Sequence, residues 1–402
     1  MGEKKVKVYV ASSVGIDYFF FLCKTIERGG YEVEPLYLIS EVTYRKLAKS
    51  SSFKKIWLRI QMYFLYPFYL IYKGLIGKRN SVFVVSSNTF YAPYLVKKIV
   101  GLKGDKVIHM LYDLYPDAIE IAGAIKVDSI ASKVIGKITK LNQAQCDATI
   151  YLGKFLKEHA EKRWLTAKTS KIIDISTDLT LYTSDFVPEL DTKKLIIHYG
   201  GQLGYLHDAV SIIESVKYIY QSDISDFVEF NFYVSGAQAD MLADSLREYP
   251  IKVISAVPSS QWREDIRNFH IGLVSLSPGG ASVCLPSKTY GMMAGGMAIL
   301  AICPEWSDLA ALVKGLEAGW VVNNSPFNSK EELNLNYLQS IIEERPYKEI
   351  SSDFYNCVKN LLNDNDLLKQ RRKNAFYMIR ENYNIDNLGK KWKKVIQDVV
   401  EK

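Results

Sequence analysis

The residues best suited to chemistry lie in the second half of the chain. Leu285-Pro286-Ser287-Lys288-Thr289-Tyr290-Gly291-Met292-Met293-Ala294-Gly295-Gly296 reads as a loop ended by proline and a helix opened by Ser-Lys. Free backbone N–H groups, the positive end of the helix dipole and the Lys288 ammonium would then converge on one spot, which suits a diphosphate. The same residues also suit an ordinary Ser-capped helix with a solvated lysine. Tyr199-Gly200-Gly201-Gln202-Leu203-Gly204 follows an apolar run directly, and its glycines would let backbone amides approach a phosphate or a sugar. Its spacing is GGxxG, so the GxGxxG dinucleotide fingerprint is not met, and a tight strand-to-helix turn explains it equally well. A third flexible loop, Ser275-Leu276-Ser277-Pro278-Gly279-Gly280-Ala281-Ser282, follows another apolar run.

In the first half, Leu111-Tyr112-Asp113-Leu114-Tyr115-Pro116-Asp117 offers Asp113 as an acid, or as a turn residue before Pro116. His109 and His270 sit in strand-like runs and read as packed residues rather than bases. Ser12-Ser13-Val14-Gly15 follows the first apolar run, either as a plain turn or as a loop that touches substrate.

These groups need strands and helices to position them. Short apolar runs at Lys5–Ser12, Val82–Ser86, Lys106–Leu111 and Ala148–Leu152 predict buried parallel strands, between helices at Tyr18–Arg28, Ala92–Val100 and Ala131–Ala144. After the polar stretch Tyr182–Lys194 the pattern repeats, with strands predicted at Leu195–His198, Val228–Val234, Ile251–Ser255, Ile271–Leu276, Ala298–Ala301 and Gly319–Val322. The expected fold is α/β, with two Rossmann-like domains, 1–190 and 191–375, facing a cleft. Residues 376–402 are expected as a C-terminal helix crossing back to the N-terminal domain. Glycine loops at strand C-termini are where open α/β sheets bind ligands.

Charge and composition narrow the function classes. Residues 1–185 hold 28 Lys and Arg against 17 Asp and Glu, a net +11, whereas the remainder, 23 against 27, is −4. The N-terminal half is therefore expected to face something anionic. Thirteen uncharged residues, Ile60–Tyr72, are rich in aromatics and flanked by Lys54, Lys55, Arg59, Lys73, Lys78 and Arg79. The run is short of the roughly 20 residues of a spanning helix and Pro67 interrupts it, so it suits a membrane interface. A core helix with solvated ends is the other reading. No RRM, KH or helix-turn-helix signature accompanies it, so nucleic acid is not the expected partner. The five cysteines, Cys23, Cys146, Cys284, Cys303 and Cys357, form no CxxC pair, which suits a reducing cytosol, and no metal site or export signal is expected.

In this order, Tyr199–Gly204, Val234-Ser235-Gly236, Val257-Pro258 and Leu285-Pro-Ser-Lys-x-Tyr-x-x-Met-Ala294 resemble the glycosyltransferase family 4 type of GT-B enzyme, in particular the polysaccharide-assembly branch that includes N-acetylfucosaminyl transferases. Leu111–Asp117 is similar to that branch's Asp-Leu-Trp-Pro-Glu segment. The resemblance is dense over 195–325 and thin before 105. It implies retaining transfer from a nucleoside-diphosphate sugar, most simply a UDP-sugar, with no cofactor, to a lipid-linked saccharide in surface polysaccharide or lipopolysaccharide assembly. The donor would sit on the C-terminal domain and the acceptor on the N-terminal one, at the cytoplasmic face of the membrane. Carried over by position, Lys288 and Ser287 would neutralise the leaving diphosphate, Gly200, Gly201 and Gly204 would line it, Val257 and Gly291 would border the nucleotide, and Asp113 would stand near the acceptor hydroxyl. The sequence departs where the family often has a ribose-holding Glu, here Gly291, and eight residues upstream, here Val283. His207 stands where many relatives carry Arg or Lys. A noncatalytic GT-B subunit partnering an active transferase is the alternative, and a sugar-nucleotide 2-epimerase ranks last because it needs acid and base carboxylates in the cleft.

Overall fold

The computed structural model describes residues 6–45, 52–187, 189–190, 193–255, 257–333 and 337–401. Lys5 of the first predicted strand, and Pro188, Asp191 and Thr192 of the predicted linker, lie outside the described residues. The chain divides into two units, one of residues 1–176 with 383–402 and one of residues 177–382.

The first unit is built on a parallel sheet of β1 (Lys7–Ala11), β2 (Glu32–Leu36), β3 (Val82–Ser86), β4 (Lys106–Leu111), β5 (Ala148–Tyr151) and β6 (Ser170–Ile172), in the order β2-β1-β3-β4-β5-β6. The central strands are apolar because helices cover both faces. On one face Tyr9, Phe83, Val85 and Val107 pack with Tyr66, Leu70, Val96 and Cys146. The edge strands β2 and β6 have no counterpart among the predicted strands. Glu-Val-Glu-Pro-Leu carries a proline and two charges, a pattern that edge strands tolerate and that conceals them, and Glu34 and Glu32 pair with Lys7 of the neighbouring strand at 2.6 and 3.6 Å. Helix Ile385–Val400 belongs to this unit and lies against helix Asp17–Arg28, with Tyr31 Oη donating to the Lys393 carbonyl at 3.2 Å.

The second unit carries a parallel sheet of β7 (Leu195–Gln202), β8 (Val228–Ser235), β9 (Lys252–Ser255), β10 (Ile271–Ser275), β11 (Ala298–Ile302) and β12 (Gly319–Val322), in the order β9-β8-β7-β10-β11-β12. Strand order reverses between β7 and β10, which is the Rossmann switch point. Those two strands pair only at Ile197 with Ile271 and His198 with Gly272, so their C-terminal halves leave a crevice. Helix Asn365–Asn382 stays with this unit, where Arg372 and Arg380 donate to the Val187 and Thr183 carbonyls, 2.9 and 2.8 Å. These bonds tie the expected linker into the second unit, and the chain passes to it at Thr177 rather than at residue 191.

Two expectations are corrected. β7 does not end at His198 but runs through Gly200 and Gly201 to Gln202, so the first two glycines are strand residues paired with Tyr233 and Val234. Pro67 does not break the 52–76 segment. Helix Ser52–Ile60 passes through a π-turn, Gln61–Leu65, into helix Tyr66–Ile76, and the wider turn accommodates the ring that would clash with the carbonyl one turn earlier. No helix among the described residues is long and apolar enough to cross a membrane.

Candidate functional site

In the second unit the candidate residues gather at the switch point. Lys288, the first residue of helix Lys288–Ala294, donates from Nζ to Tyr199 Oη at 2.5 Å and to the Gln202 carbonyl at 3.1 Å, with the amine 3.7 Å from the Tyr199 ring centre. Burial pushes its pKa well below the usual lysine value, because little water remains to solvate the charge. Gly201 has a φ of +98°, a left-handed conformation that calls for glycine, and a Cβ there would make only ordinary contact with Lys288 Cδ, at 3.9 Å. Ser287 is exposed and makes no capping bond to its helix, so its hydroxyl is not spent on the turn.

The two glycine loops are locked together. Leu203 N–H donates to the Ser235 carbonyl (2.7 Å), and Gln238 Nε2 donates to the carbonyls of Gly204 (2.6 Å) and His207 (3.1 Å). His207 Nδ1 meets the Ser275 carbonyl at 2.5 Å, and Ser277 N–H donates to the Leu206 carbonyl at 3.0 Å. A Cβ at Gly280 would come 2.1 Å from that same carbonyl. Burial and the nearby Lys288 charge push the His207 pKa to about 3, so it is a neutral brace and not a substitute for the relatives' cation. Gly204 faces open space and Tyr205 beside it is exposed.

Sequence reasoning missed Trp262. Its indole donates from Nε1 to His198 Nε2 at 2.9 Å, and His198 Nδ1 in turn meets the Asn231 carbonyl at 2.9 Å. A Cβ at Gly200 would lie 2.4 Å from Trp262 Nε1, and one at Gly291 3.0 Å from Trp262 Cη2 and 2.8 Å from Tyr182 Oη. The indole thus crowds both glycines, and a side chain at position 291 must also displace Tyr182 Oη. Val257 is half-buried ahead of Pro258, where helix Ser259–Asp265 with Trp262 begins. Only a tryptophan four residues beyond that proline signalled this in the sequence. The second unit thus brings Gly200, Gly201, Lys288 and Gly291 together, with Ser287 at their rim, whereas Gly204 stands on the adjoining loop.

In the first unit Asp113 lies just past β4. The N–H groups of Tyr112 and Asp113 donate to Ser87 Oγ at 3.0 and 3.2 Å, which fixes the turn, and burial pushes the Asp113 carboxyl up to about 6. Asp117 has a different task. It is fully buried and meets His159 Nε2 (2.8 Å), Arg163 Nη1 (2.7 Å) and Trp164 Nε1 (2.8 Å), a satisfied structural network. His109 is buried in β4, and burial pushes its pKa to about 3. His270 accepts the Ile196 N–H at 3.1 Å, and Ser12 Oγ donates to the Val14 carbonyl at 2.9 Å, so both serve local structure. Among the described residues no group of three or more His, Cys, Asp or Glu is placed to hold a metal ion.

Solved structures share this architecture. Anabaena HepE in complex with UDP matches with a TM-score of 0.64 over 98% of this chain and 100% of its own, at 10% identity. The fold is GT-B. Sucrose-phosphate synthase from Thermosynechococcus elongatus matches with a TM-score of 0.63 over 99% of this chain and 100% of its own, at 11% identity. S. aureus TarM, crystallised as a point mutant with fondaparinux, α-GlcNAc-glycerol and UDP, matches with a TM-score of 0.56 over 82% of this chain at 12% identity, and this chain spans 58% of that protein. In sequence, a Pseudomonas aeruginosa protein named probable glycosyltransferase WbjE is 22% identical over 300 residues, 66% of this chain and 70% of its own. No family model matches the chain.

Proposed function

We propose that this chain is a retaining glycosyltransferase that moves a sugar from a UDP-sugar to a lipid-linked saccharide during surface polysaccharide assembly. The observation that carries the reading is the Lys288 amine, desolvated and held by Tyr199 and Gln202 beside a glycine-bearing strand end at the switch point. A diphosphate arriving there would meet the amine, Ser287 and loop amides, and its charge would raise the lysine's pKa and protonate it. As the sugar–phosphate bond breaks, the ammonium stabilises the growing negative charge on the leaving group, the electrostatic work that transfer most needs. Asp113 accepts a hydrogen bond from the acceptor hydroxyl. The UDP seen in HepE and TarM structures and the name of the WbjE relative support the donor class, whereas retention and the lipid-linked acceptor follow the family resemblance.

The same reading places the enzyme on the inner face of the cell membrane. Along helix 52–76, Phe53, Ile56, Trp57, Phe64, Phe68, Tyr72 and Leu75 are exposed, with Phe53 at 78% and Phe68 at 66%, and exposed Lys54, Lys55 and Arg59 lie beside them. So large an apolar stripe rimmed by cations suits an anionic bilayer. A noncatalytic subunit is the second reading, favoured by the indole that fills the space beside Gly291. Release of UDP from a panel of UDP-sugars, with lipid extract as acceptor, decides between them. Turnover supports the enzyme, and UDP binding without turnover in any pairing supports the subunit.

A further inference from the structure

The acids of the first unit are unevenly placed along the chain. Residues 42–104 contain twelve Lys and Arg and no Asp or Glu, where 44 acids in 402 residues would place about seven, and residues 129–146 contain Lys133, Lys137 and Lys140 and again no acid. Folding sets these stretches side by side. Helices Tyr66–Ile76, Ala92–Val100 and Ile130–Gln145 form one layer over the sheet: a Cβ at Gly74 would come 2.2 Å from Val100 Cγ1, and Asn142 accepts the Tyr94 N–H at 2.8 Å and donates to the Phe90 carbonyl at 2.7 Å. The paired helices Asp17–Arg28 and Ile385–Val400 differ, with Asp17, Glu27, Asp386 and Asp398 among their lysines. On the third helix of the acid-free layer, Ile130 and Val134 stand one turn apart and are 83% and 57% exposed. Exposed Lys126, Lys133 and Lys137 flank them, and Asp128 beside them pairs with Arg163 at 3.6 Å.

We propose that helix Ile130–Gln145 is a second lipid contact, so that the first unit meets an anionic bilayer with the outer surface of a three-helix layer and not with helix 52–76 alone. This rests on the membrane reading above for its partner and adds a surface which that reading does not use. Charge complementarity selects the occupant. Three neighbouring helices without a carboxylate repel no lipid phosphate, whereas a second copy of this chain packed face to face would set cations against cations. Ile130 and Val134 enter at the boundary of headgroups and acyl chains, and the lysine stems beside them carry their amines up to the phosphates. The consequence is orientation. One amphipathic helix leaves the unit free to roll about the helix axis, whereas two contacts on one rigid layer fix its tilt, and the first holds the second at high effective concentration.

The test reads cosedimentation of the full chain with phosphatidylglycerol and with phosphatidylcholine vesicles, alongside light scattering. Wild type should prefer the anionic vesicles, and Lys133→Gln alone should weaken that binding roughly fivefold at low salt and little at high salt. Ile130→Ser with Val134→Ser should weaken it at least as much and at both salts, because the inserted surface is lost. Both residues are exposed, so the melting temperature should not move. Phe64→Ser with Phe68→Ser on helix 52–76 is the comparison. If that pair weakens binding while the 130 and 134 pair does not, the membrane reading stands and this proposal is overturned. If only the 130 and 134 pair weakens it, this contact stands and the helix 52–76 assignment fails. Equal affinity for the two lipids removes the charge argument and the proposal with it, and a wild type that ignores both overturns both readings. Loss of a dimer without loss of vesicle binding makes the helix an interface between copies, which also overturns the proposal.

Discussion

Each unit holds a candidate-site group that water cannot fully solvate, an acid in the first and a base in the second. In the first, burial raises the Asp113 carboxyl to about 6, and in the second, burial lowers the Lys288 amine well below its usual range. Both shifts run toward neutrality, yet the surroundings differ. Asp113 is half-buried on a turn held by Ser87, its carboxylate with no hydrogen-bond donor among the described residues, whereas Lys288 is tethered to a phenol and a carbonyl beside glycine backbone. A half-buried acid without a donor suits a ligand hydroxyl. A tethered amine beside open backbone suits a dianion, whose charge favours the ammonium form. A desolvated group can thus be poised for a ligand of either kind, and its neighbours decide which.

Removing the cation should abolish that contrast with the largest effect. Lys288→Ala should lower kcat by roughly 10²–10³-fold, as expected when a preorganised contact to developing charge is lost. Its melting temperature should stay close to wild type, because the cost of burying the amine offsets the hydrogen bonds to Tyr199 and Gln202 that alanine forfeits. Turnover and melting are to be measured on one preparation. An unchanged kcat would place the diphosphate elsewhere.

Next in size is the acid. Asp113→Asn should keep UDP binding and lose transfer, and wild-type transfer should fall as the pH drops through about 6, since the carboxylate must be ionised to accept the hydroxyl. The stability sign is the reverse. A folded pKa raised above the ordinary 3.8 means that the favourable contribution is complete below 3.8 and is lost as the pH rises through about 6. Asp113→Asn should therefore be more stable than wild type at pH 8, by about 3 kcal/mol or less, with the advantage shrinking toward pH 5. Urea melts at the two pH values check it. A variant less stable at pH 8 contradicts the assigned desolvation.

Gly291→Glu would restore the relatives' residue, but its Cβ would meet Tyr182 Oη at 2.8 Å and Trp262 Cη2 at 3.0 Å. It should cost about 1–3 kcal/mol, as overpacking does, and Trp262→Ala in the same chain should recover part of that loss. Calorimetric melting of the single and double variants measures it. A fully stable single variant would show that the indole is not wedged in place.

The smallest effect belongs to the outer surface of the first unit. Phe64→Ser with Phe68→Ser should weaken pelleting with phosphatidylglycerol vesicles even at low salt. Replacing any one of Lys54, Lys55 and Arg59 with Gln should weaken it by about 1 kcal/mol, less as salt rises. Tyr63 and Tyr69 of the same aromatic run are unsuited to this experiment, because both are half-buried and Tyr69 packs against the core.

Much of the frame was legible in the sequence. Val82–Ser86 and Lys106–Leu111 announce themselves as buried strands through their apolar runs, and the glycine loops fall at strand ends where the pattern changes. The edge strands were not legible, since half-exposed Glu-Val-Glu-Pro-Leu lacks an apolar run. Nor were the reasons for Gly200 and Gly291. A glycine in sequence marks a close approach without naming the neighbour, and here the neighbour is Trp262, remote in sequence from both. In the motif Asp113 stood out as the acid, and nothing there announced what Asp117 does. Only packing separates the open acid from the one locked to His159 and Arg163.

Whether Lys288 holds a nucleotide diphosphate is decided by titrating the protein with UDP calorimetrically at pH 7.5. Wild type should bind, and Lys288→Ala should lose roughly tenfold or more in affinity, as expected when a hydrogen bond to a charged group is removed, while Asp113→Asn behaves as wild type. No binding of UDP, or binding of equal affinity in Lys288→Ala and wild type, would contradict it.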